Sequence, residues 1–211
     1  MAKFSLNKVI KIMIQVDLIF ISAFGFITPI FAIFITNQIK DGDIRVVGFA
    51  AAIYWILKSF LQIPIGRYLD KNHGEKDDFY FVVVGYCLAA LVPLGYIFSS
   101  LSWHIYGLQA FYAIGMAMAV PAWAAIFTRH IDKGKEAFEW SLESTAIGLG
   151  AGITGAIGGI LASKFGFEVV FIFATIAAFI GTILLLAIRN DIFPKGDHHL
   201  YVPKIKKPPL P

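Results

Sequence analysis

The sequence predicts an all-α, polytopic membrane protein with six transmembrane helices. Of its 211 residues, 58% are hydrophobic and 15% charged, against about 45–50% and about 25% in soluble domains. Mean hydropathy is +0.73. Six apolar runs of span length also follow one another with short polar breaks. Each stays apolar for about twenty residues instead of alternating over about ten, which excludes a membrane β-barrel.

The first run, Leu18 to Ile35, carries no charge, and its 18 residues cover roughly 27 Å as a helix. Lys3, Lys8 and Lys11 precede it as they would a secretory leader. The run is too long for one and no small-x-small cleavage site follows, so it is expected to be retained. The second run, Val46 to Ile65, is interrupted by Lys58; then come Phe79 to Phe98, Trp103 to Phe127, Ala146 to Ala162 and Val169 to Ile188. Trp103 and Trp140 stand at span ends and read as interfacial anchors. Cys87, the single cysteine, has no intrachain disulfide partner and no metal-ligand spacing, so it reads as a small packing residue.

Basic residues give the orientation, since cytoplasmic loops are enriched in Lys and Arg. One side collects fourteen: Lys3, Lys8 and Lys11; Arg67, Lys71 and Lys76; Arg129, Lys133 and Lys135; and Arg189, Lys195, Lys204, Lys206 and Lys207. The other side has Lys40, Arg45 and Lys164, with Lys58 left inside a span. Both termini are therefore expected in the cytoplasm of a plasma or inner membrane. The net charge of +4 needs no nucleic acid to explain it. Residues 1–190 are expected to form the helical unit. The tail 191–211, basic and rich in proline, is expected to be disordered and cytoplasmic; its Lys207–Pro211 end also resembles a polyproline ligand.

Charged groups inside spans are functional candidates by default. Asp17 and Lys58 qualify, at similar depth on the first two spans, and are expected to pair if those helices face each other. An Asp17 released from its partner would gain proton affinity and become a proton-coupling group; a structural ion pair, or a snorkelling lysine, is the plainer alternative. Gln62, Gln109, Tyr112 and Trp123 complete the cavity candidates, as polar or aromatic groups within spans. On the fifth run, Gly148, Gly152, Gly155 and Gly159 recur at spacings of 4, 3 and 4, a small-residue face that permits close helix packing. Gly150 and Gly158 add flexibility on other faces. No Gly-x-Ser-x-Gly, His-Glu-x-x-His or paired intramembrane aspartates occur, so the chain is not read as an enzyme and no cofactor or metal is expected.

Between the second and third runs, Gly66-Arg67-Tyr68-Leu69-Asp70-Lys71-Asn72-His73-Gly74-Glu75-Lys76 resembles the G-x-x-x-D-(R/K)-x-G-x-(R/K) loop signature of the major facilitator superfamily (MFS). Gly25-x-x-x-Pro29, Pro64, Asp132 to Phe138, the glycine-rich fifth run and Gly166-Phe167-Glu168-Val169-Val170-Phe171 extend the resemblance over roughly Asp17 to Arg189. It implies the N-terminal six-helix half of the fold, built as two three-helix repeats, with Gly66, Arg67, Asp70, Lys71, Gly74 and Lys76 as the gating loop. One extra residue lies between Lys71 and Gly74. Phe111 stands where the family has a fourth-helix arginine, and the antiporter pattern G-x-x-x-G-P-x-x-G-G appears over Gly150 to Gly159 without its proline.

The family usually has two such halves, so the resemblance implies a partner: a second copy, or a separately supplied second half. Asp70 of one unit is then expected to cap the start of the partner's fifth helix, near Glu139 to Ser141, with Arg67 or Lys71 offsetting Glu139 and Glu143. The expected activity is membrane transport of a small solute, of unknown identity, by alternating access. The alternatives are a membrane scaffold or assembly protein that retains the half-fold, and an ABC permease domain, for which no coupling motif is seen.

Overall fold

The computed structural model describes residues 6–72 and 74–193, and these are helical, with no strand among them. The helices are α1 (Lys8–Gly25), α2 (Phe31–Gln38), α3 (Ile44–Asn72), α4 (Glu75–Ile97), α5 (Ser102–His130), α6 (Glu136–Phe165), α7 (Phe167–Leu185) and the short α8 (Arg189–Ile192). Lys3, His73 and the tail beyond Phe193 lie outside the described residues.

Five of these helices, α3 to α7, are long and apolar enough to cross a membrane, α7 reckoned to Ile192. The first apolar run is not one helix. Pro29 has no N–H to give the Gly25 carbonyl, and it disfavours helical backbone at the residue before it. Thr28 turns back instead, donating both its backbone N–H and its hydroxyl to the Phe24 carbonyl at 3.0 Å. The helix restarts at Phe31. It also begins earlier than the apolar run, because Asn7 caps it by accepting from the Val9 N–H and because Val9, Ile10, Met13 and Ile14 are buried.

Two ends of the bundle are defined by its loops. At the first, the Asn7 side chain donates to the His130 carbonyl, and Lys8 pairs with Asp191 at 2.8 Å. Phe193 packs edge-on against Phe79 and Tyr80, so the chain stays attached to the bundle through that residue. At the opposite end, the Lys40 N–H donates to the Ser100 carbonyl, joining the α2–α3 and α4–α5 loops. Gly166 alone links α6 to α7, at φ +85°, a backbone conformation side chains rarely adopt. Phe34 of α2 meets Tyr96, Phe167 and Phe171 there, so α1 and α2 together run from one end to the other.

Packing follows small residues. Gly85 and Gly115 bring α4 and α5 so close that a methyl group on Gly85 would strike the Gly115 carbonyl and Ala119. α1 lies against α7 and α6, α4 bridges α5 and α7, and α3 packs chiefly on α5. α3 and α6 are the least buried of the span-length helices, with 11% of each apolar window covered. They flank a face floored by α1 and α5, which the Phe24–Tyr112 ring stack joins at mid-depth.

The glycines of α6 are not used as the periodicity suggests. Gly150 and Gly158 press on α1, where an added methyl would meet Ser22 and the Phe26 backbone. Gly155 lies in ordinary contact range of Gly25 and Pro29, whereas Gly148, Gly152 and Gly159 face open space. The seam on α1 is thus Gly150, Thr154 and Gly158, spaced by four.

Candidate functional site

Polar groups in the apolar bundle sort into three places. The first surrounds Asp17 on α1, which is only 4% exposed. The Tyr86 hydroxyl of α4 donates to its Oδ1 at 2.8 Å, and the Tyr86 ring is stacked 3.8 Å from Phe20, one turn along α1. Asp17 therefore pairs with a phenol, whereas the sequence led to the expectation of a pair with Lys58 if the first two spans face each other. That pairing requires the first two spans to be neighbours, and the structure packs α1 on α6 and α7 and α3 on α5.

The second place is a row of rings across the floor. Phe24 of α1 stacks on Tyr112 of α5 at 4.8 Å, and Tyr112 on Tyr54 of α3 at 4.7 Å, both within 17° of parallel. Trp55 meets Tyr54 edge-on at 5.0 Å. Lys58 sits one turn beyond Tyr54, with its ammonium 5.7 Å from the Tyr54 ring and 5.0 Å from the Trp55 ring. No carboxylate lies within salt-bridge range of Lys58 among the described residues. Gln62 follows another turn on. It lines a groove of about 340 Å³ with Gly66, Arg67, Asp70 and Pro121.

The third place is the first end of the bundle. Asp78 at the start of α4 is completely buried and ion-paired with Arg129 at the end of α5. His130 lies 3.6 Å from Glu75. In the α5–α6 loop, Asp132 accepts from Lys135 at 2.8 Å and raises its ammonium above the ordinary lysine range. Glu139, fully buried in the first turn of α6, accepts from the Asp132 N–H at 3.3 Å. A carboxylate there also faces the positive end of the helix dipole.

Two sequence candidates belong to none of these walls. Gln109 donates to the Tyr96 hydroxyl at 3.0 Å inside the α4–α5 interface. Trp123 stacks on Phe127 at 4.7 Å, and Trp140 of α6 closes over both. Trp140 is thus a clasp between α5 and α6. Missing from the sequence reading were Tyr54, Phe24 and Tyr86. Tyr54 carried a signal, four residues before Lys58 on one helix face; Tyr86 and Phe24 meet their partners only across helices.

This arrangement, a membrane bundle with a polar-aromatic floor and a Gly66–Asp70 stretch beside a groove, has known relatives. Residues 18–210 match the family model of the Major Facilitator Superfamily. The chain belongs to that superfamily. A relative described as an uncharacterized MFS-type transporter of Methanocaldococcus jannaschii is 27% identical over 182 residues, which cover 86% of this chain and 46% of that protein. The chain therefore spans about half the length of the relative it matches.

As an MFS chain with five span-length apolar helices, it is an integral multi-pass membrane protein. Its MFS signature is not a loop in the structure. Gly66 to Asn72 form the last two turns of α3, and α4 begins at Glu75. Leu69 is 2% exposed and anchors that end, while Arg67, Asp70 and Lys71 project outward, as does Lys76 on α4. The extension arises because Leu69 still finds core to cover after the apolar run has ended. Gly74, in extended backbone, ends the break between the two helices.

Proposed function

We propose that this MFS chain is a six-crossing transporter unit that moves a small solute by alternating access, with a second six-helix unit closing its open face. The observation that carries this reading is the floor of α1, α3 and α5. At membrane depth it holds Lys58, Gln62, Tyr54 and Tyr112, and its α1 also carries the buried Asp17, bonded to Tyr86 of α4. Such groups are costly in lipid and are retained where water or substrate passes.

The sixth crossing is the α1–α2 pair. The second unit, another copy or a separately supplied half, covers α3 and α6, with Asp70 seated at the start of the partner's α6 and Arg67 beside it as an inner latch. The open row Gly148, Gly152 and Gly159 admits a neighbouring helix at close range. Both termini face the cytoplasm, in keeping with the lysine and arginine bias. Asp17, held by a phenol that can release it, is the proton-coupling group.

Uptake of a labelled solute panel by protein reconstituted in vesicles, with and without an imposed proton gradient, tests the reading. Accumulation driven by the gradient is expected, and Asp17→Asn is expected to abolish the gradient response while leaving exchange across the membrane. Native mass measurement in detergent accompanies it. A folded, paired protein that moves no member of the panel in either mode would overturn transport.

A further inference from the structure

Among the groups on the floor, Lys58 has the least local explanation. It stands within the apolar run Val46 to Ile65, about 12 Å along α3 from Gly66 at 1.5 Å per residue, and its ammonium is turned onto the Tyr54 and Trp55 rings instead of being carried along the helix to the charged end at Arg67. Neither a carboxylate nor a hydrogen-bond acceptor reaches it among the described residues. Its neighbours are the faces of Tyr54 and Trp55, which attract a cation but accept none of its three N–H groups as a carboxylate would. Asp17, the counter-ion expected from the sequence, is occupied by Tyr86.

The surroundings select the rest of the ligand. Tyr54, Tyr112 and Phe24 form a near-parallel stack, and Trp55, 60% exposed, offers an aromatic surface that the bundle leaves uncovered. Flat apolar groups extend such a stack by offset or edge contact. Toward the first end of the bundle, Gln62 and Arg67 continue as donors along the 340 Å³ groove, with Asp70 balancing the charge at its mouth.

We propose that Lys58 and the Tyr54–Tyr112–Phe24 ring stack form the binding site for an organic anion, a carboxylate carried on a flat aromatic body. The inference rests on the transporter reading and names its cargo class. The ammonium supplies charge-assisted hydrogen bonds to the carboxylate, while the rings and Trp55 cover the flat body. A cation of the same shape meets like charge at Lys58, and a neutral isostere loses the ionic bond.

The test uses the full chain in detergent micelles and isothermal titration with three probes of one shape: 2-naphthoate, 2-naphthamide and 2-naphthylmethylammonium. Saturable binding of naphthoate is expected, about tenfold or more tighter than either analogue. Lys58→Gln is expected to lower naphthoate affinity about tenfold, and Lys58→Arg to keep it within about threefold, with thermal unfolding confirming that both variants fold. Equal affinity for the acid and the amide, unchanged naphthoate binding in folded Lys58→Gln, or no saturable binding to the unsubstituted chain would each overturn the proposal. Binding in micelles needs neither a gradient nor a second unit. Naphthoate bound through Lys58 by a protein that moves no solute would therefore sink transport alone, and transport with no preference for the anion would sink this inference alone.

Discussion

Asp78 of α4 and Arg129 of α5 are ion-paired at the first end of the bundle, with the carboxylate fully buried and the guanidinium side chain 38% exposed. One Asp78 oxygen has no hydrogen-bond partner among the described residues, so Arg129 carries most of the compensation for a charge taken out of water.

Removing only the arginine leaves that charge uncompensated. Arg129→Ala is expected to cost about 2–4 kcal/mol of stability, below the full figure for a buried pair because the guanidinium is partly solvated. The double variant Asp78→Asn, Arg129→Ala is expected to lose less than the losses of Asp78→Asn and Arg129→Ala added together. Thermal unfolding of the four proteins in detergent measures the coupling; strict additivity would show that the pair contributes nothing as a pair.

The glycines divide into two classes with opposite expectations. Gly85→Leu forces α4 from α5 and is expected to destabilise the unit by about 1–3 kcal/mol. Gly148→Leu and Gly152→Leu enter open space, so they should leave unfolding unchanged and weaken the pairing proposed above. Unfolding temperature and native mass, read on the same samples, separate the two effects.

At the opposite end, Asp43 caps α3 through Oδ1, which accepts from the Arg45 N–H at 2.9 Å and the Val46 N–H at 3.0 Å. The Arg45 side chain beside it holds its carboxyl below the usual aspartate range. A lowered folded-state pKa means the cap is fully present above the unfolded value, about 3.9, and is lost as pH falls through the lower folded value. Hydrogen exchange at Arg45 and Val46 should therefore stay slow on acidification to about pH 4 and speed up only below it. Early loss of protection, near pH 5, would contradict the cap.

Orientation can be read with single cysteines in a Cys87→Ala background. Lys133→Cys, in the α5–α6 loop, is expected to react with a membrane-impermeant maleimide only after cells are permeabilised. Asp41→Cys, in the α2–α3 loop, is expected to react in intact cells. The reverse pattern would invert the topology drawn from the lysine and arginine count.

Helix identity was legible where the signal is one-dimensional. Runs of about twenty apolar residues produced α3 to α7, because a chain in lipid must satisfy its backbone internally. Helix ends were less legible. α6 begins at Glu136, ten residues before the apolar run, because its polar first turns are stabilised by Glu139 and by Trp140 packed on Phe127. Gly25-x-x-x-Pro29 was visible as a motif, yet its effect, dividing the first span into α1 and α2, depends on one missing N–H that composition does not weigh.

By itself, the sequence determined that this chain lies in a membrane, which segments are helical, and that Asp17 and Lys58 are expensive enough to need a reason, since cost in lipid depends on residue type and depth alone. Only the tertiary structure decided who answers that cost. Helix order in space gave Asp17 to Tyr86, set Lys58 among rings, and used Gly150 and Gly158 instead of Gly148 and Gly152 against α1, because such pairings depend on which helix faces are brought together and no single helix's periodicity encodes its neighbour.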